Sequence, residues 1–231
     1  MSVILGRRNL LVSLAVVPGL ALLGACSDSG DDNGQPPDEP VAPKADLPED
    51  QGTYDQAKLL ADNPLPDEVM GMDDAPVTII EYASATCPHC ASFHVNTLPT
   101  IKEKYIDTGR ARLVFREFAF DPRAEAGFML ARCTDDKYFA MIDVLFKQQD
   151  SWAHVQNGRE ALLSIARLAG FSQESFEACL TDQQLLDDVR AVKERGHEEF
   201  DVDATPTFFI NGKKYAGALT VDQMSAIIDS M

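Results

Sequence analysis

VTIIEYASATCPHCASFH, residues 77–94, is the stretch on which the fold turns. Its first six residues are a β-branched run preceded by the turn residues Asp73 to Pro76, which predicts a buried strand over 77–82. Residues 91–107 suit a helix that pauses at Pro99 and ends at Gly109. ARLVFREF, residues 111–118, is the next strand. Strand, helix and strand over about 40 residues make a βαβ unit. Cys87, Pro88, His89 and Cys90 fall where the first strand gives way to the helix. A helix start presents free N–H groups and the positive end of the dipole, so the more N-terminal sulfur, Cys87, is favoured as thiolate. His89 can add a cation or a hydrogen bond. Cys90, one turn in, reads as a shielded resolving thiol.

The chain around this unit is 231 residues, 45% hydrophobic and 25% charged, which is enough apolar content for a real core and excludes a disordered or fibrous chain. Its formal net charge of −17 excludes a phosphate backbone as partner, and so nucleic acid. Residues 1–25 carry Arg7 and Arg8, no acid, and an apolar run broken by Pro18 and Gly19, too short to span a bilayer comfortably. This segment reads as an export signal. It closes on Leu23, Gly24, Ala25 and Cys26, resembling a lipobox whose cysteine becomes the lipidated first residue; a plain cleaved signal followed by a chance cysteine is the alternative. Arg7 to Leu11 also resembles a twin-arginine signal. Loss of 1–25 would move the formal charge to −19, since 18 basic side chains then face 37 acidic ones. Residues 26–57, acidic and rich in proline, predict a disordered tether. At ~30 residues it would reach roughly 30 Å.

Five cysteines then divide cleanly. Cys26 is the lipidation candidate, Cys87 and Cys90 form one close pair, and Cys133 and Cys179 remain, in an exported chain where disulfides persist. A zinc site needs four ligands, and Cys133 and Cys179 stand far apart without a neighbouring Cys or His, so no metal is expected. A purely structural Cys87–Cys90 bridge would close too small a loop to constrain the unfolded chain. Downstream, about residues 122–200 read as helices: Leu162, Ile165, Ala166 and Ala169 share one face, and Gly170 ends that helix. TPTFFINGKKYAG returns to strand character with a two-residue turn at Asn211 and Gly212, and VDQMSAIIDS closes the chain as a helix.

Over residues 58–231 the sequence resembles the DsbA family of thiol:disulfide oxidoreductases. The resemblance rests on Glu81 six positions before Cys87, on CPHC, on the helical block, and on Thr205–Pro206 followed by a strand and Asn211–Gly212. It implies an α/β thioredoxin fold with an inserted helical domain, monomeric and without cofactor. It implies a catalytic set of Cys87, Cys90, Pro88, His89 and Glu81, with Thr205 and Pro206 receiving substrate. Pro206 would be the family's cis-proline, although sequence alone favours trans. Glu81, which taken alone reads as an edge-facing or solvent-facing strand residue, would be a buried acid handling the proton of Cys90, its pKa raised by burial. The namesake carries valine where Thr205 stands, and threonine occurs in isomerase and reductase relatives. Cys133 and Cys179 would form a structural disulfide as in some relatives; two buried free thiols are the alternative. The implied partners are reduced exported proteins, a DsbB-type membrane quinone-linked oxidase, and the membrane through the lipid. A reductase or isomerase of the same fold, and an inert binding lipoprotein on a thioredoxin scaffold, are the competing functions. No role is expected for His94, His154 or His197.

Overall fold

The computed structural model describes residues 47–231, so the export signal, Cys26 and the tether up to residue 46 lie outside the described residues. Five strands form one sheet in the order β1-β3-β2-β4-β5. At its centre lies β2 (Val77–Ala83), every residue of which is buried. It runs parallel to β3 (Ala111–Glu117), from Val77 opposite Ala111 to Ala83 opposite Glu117, and antiparallel to β4 (Thr207–Ile210). A strand enclosed on both faces reads as a continuous apolar run rather than an alternating one, which is why VTIIEYA is so plain in the sequence. Asn211–Gly212 turns β4 into β5 (Lys213–Ala216), both turn residues at positive φ.

Between β2 and β3 the chain is helical from Pro88, three residues earlier than the pattern predicts. It passes through α2 (Pro88–Ser92), a π turn, α3 (Leu98–Ile101) and a second π turn. Pro99 lacks the N–H that a regular turn would use, and the first π turn, Phe93–Thr97, lies just before it. This helix and the C-terminal α10 (Val221–Asp229) cover one core, where Ile79, Phe93, Phe208 and Ile227 meet.

The inserted block runs from α4 (Pro122–Arg132) through α5 (Tyr138–Lys147), α6 (Gln149–Trp152), α7 (Gly158–Leu168) and α8 (Gln173–Leu180) to α9 (Gln183–Phe200). Asp121 caps α4 by accepting from the N–H of Arg123 and Ala124, with Pro122 in the first turn. A second core joins the block to the sheet through Tyr82, Phe115, Phe128, Phe146 and Trp152. Cys133, at the end of α4, is bonded to Cys179 of α8, with Cα atoms 6.3 Å apart.

Two features depart from the sequence reading. The first is the tether boundary at 57, which lies too late. The Gln51 N–H donates to the Lys214 carbonyl (2.8 Å), the Lys214 N–H to Gly52 (2.9 Å), and the Tyr54 N–H to Gly212 (2.8 Å), so the segment pairs with the free edge of β5. The Tyr54 ring then meets Phe209 edge-on at 5.1 Å, and α1 (Gln56–Leu59) follows. Backbone pairing asks nothing of side-chain composition, so an acidic, glycine-bearing stretch can dock where composition predicts a solvated linker. The second is β1 (Glu68–Met70), a three-residue strand antiparallel to β3 that has no sequence signal of its own. Arg132 holds it, bonding Glu68 at 2.9 Å and Glu117 at 2.6 Å.

Gly196 sits inside the 18-residue α9, where glycine costs about 1 kcal/mol relative to alanine. A Cβ there would lie 2.7 Å from Cε1 of Tyr82, whose hydroxyl is fixed by Arg116 at 2.9 Å. Gly196→Ala should therefore destabilise the domain by about 1–3 kcal/mol in denaturant titration, despite its better helix propensity.

Candidate active site

Cys87 occupies the N-cap of α2, with φ −79° and ψ 121°, and Pro88 takes the first helical position. The loop before it is fixed from three directions. The Cys87 N–H donates to Ser84 (3.1 Å) in a tight turn. The Thr86 hydroxyl donates to Asp121 of the α4 cap at 2.6 Å. Gln149 of α6, buried, donates through Nε2 to the carbonyls of Ala85 (2.9 Å) and Cys87 (3.0 Å). The helical block thus holds this turn by three hydrogen bonds from two side chains, Asp121 and Gln149. Neither residue carried a local sequence signal for this, because both lie more than 30 residues from the turn.

Thr205–Pro206 faces this turn, and its peptide bond is cis. The Cys87 thiol lies 3.3 Å from the Thr205 carbonyl. The Thr205 hydroxyl is buried without a hydrogen-bond partner among the described residues.

The two sulfurs stand in opposite environments. Cys87 is half-buried and its pKa is lowered to about 5. The largest cause is the hydrogen bond from the Cys90 thiol; partial burial opposes it, and Thr205 and the N–H groups of Cys90 and His89 add to it. Cys90 is wholly buried, and its pKa is raised well above the usual thiol range, first by burial and then by its bond to Cys87 and the charge of Glu81. Among the expected contributors His89 requires correction. It acts on Cys87 through its backbone N–H, and its exposed ring makes no hydrogen bond to either sulfur among the described residues.

Glu81 is fully buried, not edge-facing. Alternation along β2 places it on the face of Val77 and Ile79, under the active-site helix. There Nε2 of His94 lies 3.1 Å from both carboxylate oxygens, so the histidine given no role is the partner of the buried acid. One signal could have found it: His94 is four positions after Cys90, on the same helix face. His197 bonds only the Val202 carbonyl (3.1 Å) and His154 is exposed. Among the described residues no group of three His, Cys, Asp or Glu side chains could hold a metal ion, and no helix is long and apolar enough to cross a membrane.

A half-buried thiol of lowered pKa at a helix start, a buried partner thiol beside it and a cis-proline loop across it define a thiol–disulfide exchange centre. A family model described as thioredoxin matches residues 65–230. The crystal structure of Wolbachia pipientis alpha-DsbA1 superposes with a TM-score of 0.69 at 35% identity, covering 75% of this chain and 94% of that one. A Rickettsia bellii protein, provisionally named a protein-disulfide oxidoreductase, is 34% identical over 165 residues, 71% of this chain and 63% of its own. The chain thus spans less than two thirds of that relative's length. Oxidised BdbD of Bacillus subtilis, with a TM-score of 0.64 at 22% identity, shares the fold. The chain belongs to the DsbA family of protein-disulfide oxidoreductases, within the thioredoxin superfamily.

Two outcomes follow from the sulfur environments. Alkylation of Cys87 in the reduced protein should follow an apparent pKa of about 5, and Cys90→Ala should raise it toward the ordinary ~8.5 by removing the largest stabilising bond. A folded pKa below the unfolded one gives the reduced protein stability that is fully present above ~8.5 and lost as pH falls through about 5. The oxidised protein has no thiolate there, so its denaturation midpoint should lack that dependence.

Proposed function

We propose that this chain is a dithiol oxidase of exported proteins, tethered to a membrane by a lipid on Cys26. The asymmetry of the two sulfurs carries the reading. A substrate thiolate attacks Sγ of Cys87, the Cys87–Cys90 bond breaks, and Cys90 leaves and takes up a proton, with Glu81 as the nearby acid. A second substrate thiolate then attacks the substrate sulfur of the mixed disulfide. Cys87 departs as a thiolate that the helix start and the Cys90 thiol already hold, and a stable leaving group makes the donor strongly oxidising. The Thr205 carbonyl and the cis-Pro206 turn, beside Cys87, offer an extended peptide backbone contacts. The reduced enzyme then needs a membrane quinone-linked oxidase of the DsbB type.

A second reading, a reductase or isomerase, comes from the resemblance alone: threonine stands at the position of Thr205 in isomerase and reductase relatives, where the namesake oxidase carries valine. Acid quench and alkylation in cells separates the two: an oxidase is found with Cys87–Cys90 mostly closed, a reductase with it mostly open. In vitro, the oxidised protein should restore activity to a reduced, unfolded substrate with paired cysteines. Cys87→Ser should abolish this, and Cys90→Ser should accumulate mixed disulfides. Failure of the wild type to oxidise such a substrate would remove the proposal.

The lipid anchor rests on LGAC at residues 23–26. Labelled palmitate should mark the wild type and not Cys26→Ser; equal label in both, or in neither, would remove the anchor at Cys26.

A further inference from the structure

We propose that His94 is the proton gate of Cys90, acting through Glu81; this rests on the exchange chemistry proposed above. When a substrate thiolate displaces Cys90, a bond forms between the substrate sulfur and Cys87 and the Cys87–Cys90 bond breaks. The electron pair of that bond stays on Cys90. The new thiolate is buried, and water cannot reach it directly. A proton must come from solvent through the protein.

The structure supplies the route. Glu81 lies close enough to Cys90 for its charge to act on that sulfur. Both its oxygens are 3.1 Å from Nε2 of His94, a symmetric contact that leaves one donor serving the whole carboxylate. His94 is itself buried, stacked on Phe146 with ring centroids 4.2 Å apart and meeting Phe93 and Phe115 edge-on. It also lines a groove of about 360 Å³ between α3 and α5 that opens to solvent. One side of the residue therefore meets the buried acid and the other borders water. The titratable or charged groups around it are Glu81 from β2, Cys90 one turn back, Lys102 after α3, and Asp143 and Lys147 of α5 on the groove wall. In the forward step the Nε2 proton of His94 passes to the Glu81 carboxylate and from Glu81 to the new Cys90 thiolate, while solvent in the groove supplies a proton to the other ring nitrogen of His94. Imidazole is suited to this because its two ring nitrogens can accept on one side and donate on the other near neutral pH.

His94 is thus a positioning and relay residue, and the test must separate relay from packing. The measurement is the rate at which dithiothreitol opens the Cys87–Cys90 disulfide, followed by acid quench and alkylation across neutral pH. His94→Gln keeps an N–H for Glu81 but cannot relay a proton. It should fold, yet open the disulfide more slowly by roughly tenfold or more and with a flattened pH profile. His94→Ala should be slowed as well and recover on adding imidazole, which the groove admits, while the wild type should not respond. A His94→Gln rate equal to wild type over the whole pH range would reduce the histidine to a packing residue. So would imidazole leaving His94→Ala unchanged. A wild-type disulfide that opens no faster than that of oxidised glutathione would instead overturn the exchange function itself, and the relay with it.

Discussion

Everything in this molecule depends on keeping a sulfur anion at the first turn of a short helix. The dipole and free N–H groups of a helix end act only over about one turn, so a loose turn would lose them. Here the turn is tied to the sheet by β2, to the cap of α4 by Thr86 and Asp121, and to α6 by Gln149. The remaining side is closed by the Thr205–Pro206 loop. The inserted helices therefore provide two of the four anchors for the Cys87 turn.

Charge buried elsewhere serves architecture. Arg116 pairs with Asp67 at 2.8 Å, and Arg132 joins Glu117 and Glu68 at the start of the edge strand. Such pairs add little net stability over apolar packing, yet losing one partner costs about 3–5 kcal/mol. They fix where residues 67 and 68 lie rather than how strongly they bind. The Glu81–His94 pair differs in its surroundings. It sits between Cys90 and the groove that His94 lines.

The sequence was most legible where structure is local. VTIIEYA, CPHC, the Asn211–Gly212 turn and the amphipathic α7 all declare themselves within a window of ten residues or so, because strand burial, helix start, hairpin and helix face are short-period signals. What could not be read was set by distant partners. Gln149 and Asp121 look like ordinary polar residues until the fold brings them to residues 85–87. Residues 51–54 look like linker because their docking uses backbone atoms. His94 and Glu81 stand between these cases. Each lies on a face that periodicity predicts, but only the crossing of helix over strand shows that the two faces coincide.

The bond between Cys133 and Cys179 joins two helices of the inserted block. The helix α4 carries Asp121 at its N-cap, where it accepts the Thr86 hydroxyl, and Cys133 at its other end, where it is bonded to α8. The eleven residues of α4 separate the two, roughly 18 Å at 1.5 Å per residue. One helix thus carries at its N-cap a contact to the Cys87 turn and at its other end the disulfide to α8.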